Sequence, residues 1–518
     1  FRHSKTPEIR VRISGVTTLL RNNWGFLFFR KVGVDMTKKQ VTMVTFAMVL
    51  ANVMAGLDST IINTAIPAII ADLHGIQFMG WIIAIMLLGM SVSTPIWTKV
   101  GEKIGNKATF ELSLLFFVLG SLFQGLADNM YFFLLARALM GIGAGGMGSL
   151  PYIMAGFIFD NIKARTKILG YLGAAFSVAA IVGPLVGGYL VDSLSWHWVF
   201  YINIPIGLLA ILLSLMYYHE GKIRKTPKFD ILGSFLIIVG LTLLLLGIQL
   251  LGLTKPWSIA SLIIAGLVLL VLFFMHEGGH PNPVVPISMF KNRALVGDFL
   301  LFIFSWGAFL AINTYLPMWA QGLLGTTALI GGMTLIPNSL VDVVGTLVVN
   351  PLKARFNNRT LLSMGLICIL ISSLGLALAP QSTNIWWLAI IGTFSGFGVG
   401  FIFVLLQIKV QVDASEKNMA PATSLSYLIR ILAQTVMAAV YGVIMNVQLA
   451  KGVAENSGIT MGMLNKLSDA SSAKSLPQNL LPTMRNIFHL GLQEIMWCAT
   501  ALLVIAIGLN FIFNKNSK

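Results

Sequence analysis

Fourteen runs of mostly apolar residues, each long enough to cross a lipid bilayer, occupy most of this sequence. About 20 consecutive apolar residues carry a helix across the hydrocarbon layer. Only 10% of the residues are charged, against roughly 25% in a typical soluble domain, so the chain cannot cover a water-exposed surface. We therefore predict an all-α polytopic membrane protein. The predicted spans are 41–69, 78–98, 107–126, 130–158, 167–191, 197–217, 230–251, 257–275, 294–320, 327–350, 359–379, 385–410, 420–447 and 489–513.

The basic residues lie mainly on one side of this predicted topology. With the N-terminus in the cytoplasm, 21 of the Lys and Arg residues that flank the spans, from Lys38 onward, fall on the cytoplasmic side and 5 on the other. Cytoplasmic loops carry the excess of Lys and Arg, so both termini are predicted to be cytoplasmic. The net charge of +16 then reflects the orientation of the chain in the membrane and not a binding surface. Because the cations form no stripe interleaved with aromatic residues, we expect no nucleic-acid partner.

Two short basic turns occupy matching positions in the two parts of the chain: TKVGEKIGNKAT (98–109) follows the second span, and NPLKARFNNRT (350–360) follows the tenth. Internal repeats are typical of secondary transporters, so spans 1–6 and 9–14 are predicted to form two six-helix bundles, with spans 7 and 8 as an inserted pair. The predicted divisions are an N-terminal basic extension 1–35, a bundle 36–217, inserted helices with linkers 218–292, a bundle 293–513 that includes an extracellular loop 451–488, and a cytoplasmic tail 514–518.

Two segments outside the spans each have two interpretations. Residues 1–35 precede Met36 and are either an interfacial amphipathic helix or a non-native extension that the function does not need. The loop 451–488 has apolar spacing over part of its length. It fits a small extracellular helix or hairpin as well as it fits disorder.

A few ionisable residues lie inside the apolar spans. Asp58 in span 1 and Asp342 in span 10 come from opposite bundles. An apolar site disfavours the charged form of a carboxyl group, so either acid is a candidate proton carrier that competes with a cationic substrate. The alternative for both acids is a structural role, either a salt bridge to Arg137 or Arg430 or a cluster of polar side chains that joins neighbouring helices. Further candidates for coupling, with a structural role favoured for the two acids, are Asp298, Arg430 and Glu494.

The first span contains the motif on which a family resemblance rests. LDSTIINTAIP (57–67) fits L-D-x-T-I-x-N-x-A-x-P at all seven fixed positions, Asp58 and Asn63 among them. With the motifs below, the chain resembles the major facilitator superfamily, specifically its fourteen-helix branch of drug:proton antiporters, over residues 40–513. The resemblance implies two six-helix bundles plus two inserted helices, with Asp58 and Asn63 in the coupling or substrate site.

The turn after span 2 resembles the family motif G-x-L-x-D-R-x-G-R-K, with glutamate in place of aspartate. The second-half copy has Ala354 where the acid is expected. A carboxylate among cations near helix ends interacts with the helix dipoles and can latch one state of a rocking bundle. The alternative is that these cations only set the topology. The candidate cytoplasmic gate comprises Glu102, Lys103, Gly105, Lys107, Arg355 and Arg359.

Spans 4 and 5 carry two further motifs. RALMGIG (137–143) resembles R-x-x-Q-G-x-G, with Met140 in place of glutamine. In the family this arginine, here Arg137, is tied to proton coupling. GPLVGG (183–188) resembles the G-P-x-x-G-G of exporters in the superfamily. Its matching residues are Gly183, Pro184, Gly187 and Gly188.

The resemblance implies a proton-driven exporter of lipophilic, amphipathic and often cationic drugs. It implies a monomer in a bacterial plasma membrane whose partners are the lipid bilayer, small-molecule substrates and protons. Aromatic rings can bind hydrophobic cations, although most such rings face lipid or the protein core. The candidate cavity aromatics are Trp81, Trp306, Tyr315, Phe397 and Phe401.

Two other functions remain open. Within the same class, the chain fits a dedicated exporter of one metabolite, amino acid, lipid or siderophore. In a different class, it fits a non-transporting receptor or scaffold on this fold. The sequence contains no G-x-x-x-x-G-K-[ST]. Its one match to H-E-x-x-H, HEGGH (276–280), follows the eighth apolar span, and its two glycines disfavour the helix that a zinc site of this kind needs. We therefore expect no catalytic residues, no metal site and no cofactor, and an activity driven by the proton gradient.

Overall fold

A computed structural model shows a helical bundle throughout the part of the chain that it describes. This part comprises residues 36–159, 162–220, 230–250, 254–278, 287–353, 355–414, 419–468 and 470–514. The predictions made for the extension 1–35 and for residues 515–518 of the tail lie outside the described residues.

The first half and the inserted pair contain α1 (Lys38–Leu73), α2 (Met79–Ile104), α3 (Asn106–Gly125), α4 (Met130–Ile158), α5 (Ile162–Ser193), α6 (Trp198–Tyr201), α7 (Asn203–Tyr217), α8 (Ile231–Gln249) and α9 (Pro256–Glu277). The second half contains α10 (Arg293–Met318), α11 (Ala328–Met333), α12 (Leu335–Lys353), α13 (Asn358–Ala377), α14 (Ile385–Asp413), α15 (Met419–Glu455), α16 (Met461–Leu467), α17 (Ala470–Ala473) and α18 (Leu481–Phe513). Short 3-10 helices at Ile76–Phe78 and Ile287–Lys291 precede α2 and α10, and a π-helix, Trp319–Leu323, follows α10.

The predicted membrane spans correspond to helices of the structure. In the described residues, thirteen helical segments are long and apolar enough to cross a bilayer, and the shorter apolar helix Leu232–Ile248 accounts for the seventh span. The all-α prediction is confirmed. Two spans are interrupted: α6 and α7 together make the sixth, and α11 and α12, separated at Thr334, make the tenth.

The loop predicted at 451–488 is shorter than expected. Helix α15 continues to Glu455 and α18 already begins at Leu481, so the connection covers residues 456–480. It contains α16 and α17, in line with the helical interpretation of this segment. The prediction ended α15 too early and began α18 too late, because polar residues continue both helices beyond the apolar region.

Asparagine side chains mark the beginning of several helices. Asn129, Asn357 and Asn384 accept hydrogen bonds from backbone N–H groups in the first turns of α4, α13 and α14. The first N–H groups of a helix have no partner within it, and a capping side chain satisfies one or two of them. Asp230 caps α8 in the same way, so the inserted pair has a defined start.

The helices pack in two groups. In the first half, α1 packs along α5 and α7, and α4 lies against both α2 and α3. In the second half, α14 packs between α12 and α13, and α18 contacts α10, α13 and α15. Helices α8 and α9 pack mainly on each other, and α8 also contacts α2 and α15. We call the end of the bundle where α1 begins the proximal end, and the end that carries residues 456–480 the distal end.

Candidate functional site

A buried ion pair joins α1 to α4 inside the first half. Asp58 Oδ1 lies 3.3 Å from Arg137 Nη1, and both side chains are only 3% exposed. A charged side chain inside a bilayer is costly unless it has a partner. The salt bridge that was the structural alternative for Asp58 is therefore present, and the coupling role of both residues stays a prediction.

Groups on α2 and α3 also hold Arg137. Its Nε donates to the carbonyl oxygen of Ile82 at 3.1 Å, and its Nη1 lies 3.5 Å from Gln124 Oε1. Gln124 is fully buried and donates to Met140 Sδ at 2.7 Å. The family motif has glutamine on α4 where this chain has Met140. Here the amide beside the guanidinium comes instead from Gln124 of α3. The sequence motifs do not contain Gln124, and its only signal is an amide inside an apolar span.

Asn63 is buried on the same helix but makes no hydrogen bond with the Asp58–Arg137 pair. It lies five residues after Asp58, which is roughly 140° around an α-helix. The structure therefore directs the acid and the amide of the first motif toward different neighbours.

A second buried ion pair lies near the proximal end of the second half. Lys409 Nζ on α14 is 3.0 Å from Asp298 Oδ1 on α10. Lys409 also pairs with Asp413, one turn later on α14. Asp298 is fully buried and the Lys409 side chain is 9% exposed. Lys409, which the sequence suggests is one of the topological cations, is in fact directed into the protein and gives Asp298 a structural partner.

Asp342 on α12 and Arg430 on α15 are ionisable residues of the second half that lack a charged partner. Both are half-buried, and within the described residues neither forms an ion pair. The guanidinium of Arg430 lies among four aromatic rings, with its carbon 4.8 Å from the centre of Phe403 and 5.2 Å from that of Trp306. The other two rings are Phe302 and Tyr427. The structure does not bring Asp342 and Arg430 into the salt bridge that was the alternative for Asp342.

The candidate cavity aromatics fall into two groups. Trp81 and Phe397 are half-buried, while Tyr315 and Phe401 are fully buried in the packing of the second half. Phe397 and Phe401 stack at 5.6 Å, Tyr315 meets Tyr441 edge to face, and Trp306 packs against Phe302 beside Arg430. Glu494, on the exposed surface of α18, accepts a hydrogen bond from Gln448.

The proximal turn between α2 and α3 is held by a carboxylate that the motif does not include. Backbone N–H groups of Asn106 and Lys107 donate to Glu220 at 2.7 and 3.0 Å, at the helix end where the dipole favours an acid. Gly105 has a φ of 98°, a conformation open mainly to glycine. The side chain of Glu102 lies outside the described residues, and Lys103 is exposed.

The second-half copy of this turn makes different contacts. Arg355 is exposed, and Arg359 lies over the ring of Phe511 at 4.4 Å. In the described ranges no ion pair joins the two copies. The gate function of these residues stays a prediction.

The glycines of the α5 motif allow close helix contacts. A Cβ on Gly183 or Gly187 would meet the Thr60 or Thr64 hydroxyl of α1, and one on Gly188 would meet the backbone of Leu329 at α11. Small residues let membrane helices approach closely. The motif therefore packs α5 on α1 within its own half and on α11 across the halves.

Contacts between the halves are concentrated near the distal end. The carboxylate of Asp192 accepts the N–H groups of Ala328 and Leu329 at 3.0 and 2.8 Å. A Cβ on Gly80 of α2 would meet the backbone of Gly442 on α15. The other hydrogen bonds of this contact are Gln321 to Thr64 O, Asn446 to Gln77 O, Ser468 to Pro67 O, and Ile76 N–H to Asn465 Oδ1.

Two helical halves that enclose buried charges and meet at one end of a multi-pass bundle are typical of membrane transporters. The chain belongs to the Major Facilitator Superfamily, whose sequence model matches residues 48–438.

Proteins of known sequence and structure show the same relationship. Multidrug resistance protein 3 of Bacillus subtilis (strain 168) is 30% identical over 441 residues, which is 84% of this chain and 83% of that protein. Efflux pump dotC of Dothistroma septosporum (strain NZE10 / CBS 128990) is 30% identical over 79% of this chain and 72% of the pump. The crystal structure of a bacterial homolog to the human lysosomal transporter Spinster, inward-facing and unoccupied, superposes with a TM-score of 0.66 at 15% identity. The superposition covers 92% of this chain and 98% of the Spinster homolog. At this identity the likeness concerns the fold alone.

Proposed function

We propose that this chain is a proton-coupled exporter, an antiporter that moves lipophilic, amphipathic and often cationic compounds out of the cell in exchange for protons. The names of the two relatives, a multidrug resistance protein and an efflux pump, support export of small molecules. In this proposal the proximal end faces the cytoplasm of a cell whose plasma membrane holds the protein, and the distal end faces outward.

The observation on which proton coupling rests is the Asp58–Arg137 pair. Asp58 Oδ1 faces the guanidinium, while Oδ2 has no hydrogen-bond partner among the described residues. A proton on Oδ2 would neutralise the acid and remove its attraction for Arg137. Breaking a buried ion pair costs about 3–5 kcal/mol, a free energy large enough to shift a two-state equilibrium by more than about a hundredfold. Protonation at this position can therefore change how α1 packs on α4.

The contacts between the halves supply the second element of the mechanism. They consist of a few hydrogen bonds and close glycine contacts at the distal end, including the Asp192 carboxylate on the N–H groups at α11. Such contacts can break without unfolding either half. We propose that a substrate enters while the distal contacts are closed and leaves when they open, as alternating access requires.

Asp342 is the proposed site for the positive charge of a substrate. Its carboxyl group is half-buried and, within the described residues, has neither a hydrogen bond nor an ion pair. A proton and a cationic substrate would compete for it, and this competition makes their movements opposite in direction.

Transport in proteoliposomes tests the proposal. Purified protein is reconstituted, a pH gradient is imposed, and the movement of a panel of lipophilic dyes is followed. The expected result is dye movement that stops when the gradient is collapsed. Absence of gradient-dependent movement for every compound would refute the antiporter and leave the receptor or scaffold function, while movement of one metabolite class alone would indicate a dedicated exporter.

Asp58→Asn tests the coupling residue in the same assay. The variant is expected to bind dye but to lose proton-driven exchange, since its amide cannot take up a proton. Asp128→Asn, at an exposed position beside Asn129, is the matched control and should transport normally. Retained coupling in Asp58→Asn would assign the role to Asp342 instead.

A further inference from the structure

Arg430 presents unused hydrogen-bond donors in the interior of the bundle. Guanidinium has five N–H donors, and in the described residues one is used, from Nε to Ser426 O at 3.4 Å, which leaves four. The surrounding rings of Phe302, Trp306, Phe403 and Tyr427 interact with the charge through their π-faces and do not replace an acceptor for these N–H groups.

The position of Tyr427 shows which way Arg430 faces. Tyr427 lies one turn before Arg430 on α15, and its hydroxyl is 3.6 Å from the place that a Cβ on Gly148 of α4 would occupy. Residues three apart share a helix face, so Arg430 lies on the face of α15 that is turned toward the first half. On that side Tyr152 of α4 donates to Asn52 of α1 at 3.2 Å. The guanidinium therefore lies where the two halves face each other, not where the protein meets lipid.

Asp342 lies beside the same part of α14 that supports Arg430. A Cβ on Gly400 would meet the carboxyl oxygen and backbone of Asp342, and Phe403 stacks on Arg430. Positions 400 and 403 are separated by about 5 Å along the helix and about 60° around it. Asp342 is also 11 residues from the proximal end of α12, and Arg430 is 11 residues from that of α15. An acid and a base, neither of which has an ion-pair partner among the described residues, therefore flank one turn of α14 at the same depth.

We propose that the second half binds an amphipathic zwitterion, with its acidic group on the Arg430 guanidinium, its ammonium group on Asp342 and its apolar body against the rings around Arg430. Arg binds carboxylates through two parallel N–H bonds, and aromatic walls with a few polar groups are typical of small-molecule sites. This inference rests on the proposed transport function, and it specifies the charge pattern of the substrate. A purely cationic drug would leave the acid-binding half of the site unused.

Equilibrium binding of three matched probes tests the charge pattern. Nε-dansyl-lysine is a zwitterion, its methyl ester is a cation and its Nα-acetyl derivative is an anion, all with the same fluorophore. Their affinities are measured by dansyl fluorescence on purified full-length protein in nanodiscs, without a pH gradient. Dansyl-lysine is expected to bind about tenfold or more tightly than either derivative, because a charge-assisted hydrogen bond contributes about 1.5–3 kcal/mol. Equal affinities for dansyl-lysine and its methyl ester would overturn the proposal.

Two variants assign the charges to residues. Arg430→Gln should weaken the zwitterion and the anion about tenfold and leave the methyl ester unchanged. Asp342→Asn should weaken the zwitterion and the ester and leave the anion unchanged. If Arg430→Gln weakens all three probes equally, or none of them, Arg430 is a structural residue and the proposal is wrong. Arg430→Lys keeps the positive charge and should still bind dansyl-lysine more tightly than its methyl ester. This variant tests the proposal even if Arg430→Gln fails to fold.

The binding and transport experiments fail separately. Selective binding without gradient-driven transport would refute the antiporter and leave this site intact. Gradient-driven transport by a protein that does not distinguish the three probes would refute only the zwitterion site.

Discussion

Lys409→Gln is expected to destabilise the second half far more than Asp298→Asn, although each breaks the same ion pair. Lys409 Nζ is 3.0 Å from Asp298 and also pairs with Asp413. Removal of the lysine leaves the fully buried Asp298 carboxylate without its counter-ion. Removal of Asp298 leaves a lysine that still has Asp413. The two variants therefore differ in whether an uncompensated charge stays inside the protein.

The expected magnitudes follow from these partners. Lys409→Gln should cost about 3–5 kcal/mol, as for the loss of one partner of a buried ion pair. Asp298→Asn should cost less, about 1.5–3 kcal/mol, which is the contribution of one hydrogen bond to a charged group, because Lys409 keeps its second partner, Asp413. The difference of about 2 kcal/mol corresponds to a roughly thirtyfold difference in the ratio of folded to unfolded protein.

Unfolding by sodium dodecyl sulfate in mixed micelles, followed by circular dichroism, measures these differences. The double variant Asp298→Asn/Lys409→Gln removes both charges and is expected to be more stable than Lys409→Gln alone. Equal destabilisation by the two single variants, or a larger effect of Asp298→Asn, would show that Asp413 does not hold the lysine and would refute the reasoning.

Three further predictions concern the ends of the bundle. Gly105→Ala places a side chain at a φ of 98° and should lower the free energy of unfolding by about 1–3 kcal/mol in the same assay. The control is Gly173→Ala, where a Cβ meets open space. Equal unfolding midpoints for the two variants would contradict the prediction. Asp192→Asn should lengthen the distance between spin labels at the exposed positions 194 and 386, because the asparagine amide has one acceptor oxygen for the two N–H groups at α11. An unchanged distance distribution would count against the role of Asp192 in the distal contact. Glu220→Gln should speed hydrogen exchange at the amides of Asn106 and Lys107, and unaltered protection would show that the turn holds without the carboxylate.

The membrane spans were predictable because apolar length is a local property. Each run of about 20 apolar residues has to be a helix in a bilayer, whatever its neighbours are. The interruption at Thr334 was not predictable, since the apolar pattern continues through it. The ends of α15 and α18 were also missed, because polar residues extend both helices beyond the hydrocarbon layer.

The candidate site was predictable only in part, since ion pairs depend on how helices pack. The sequence offered Arg137 as one structural partner for Asp58, and the structure contains that pair. Lys409 and Glu220 carried no signal of their own: Lys409 lies in the last turns of α14 and Glu220 three residues after α7 ends, and at such positions a charge ordinarily faces water. Their roles arise because α14 places Lys409 against Asp298, and because the chain after α7 returns Glu220 to the start of α3.

If the halves rock, as the proposed alternating access requires, the inserted pair has a mechanical consequence. Helix α8 touches α2 in one half and α15 in the other, while Gly240 and Gly247 pack it closely against α9. A rigid tilt of the halves cannot preserve both outer contacts, so α8 and α9 have to travel together with one half and slide along the other. The pair α8–α9 would then be a surface along which one half slides. Its apolar side chains suit that role, because sliding along them breaks few hydrogen bonds. Its length and rigidity, more than any charge within it, would set how far the two halves can tilt.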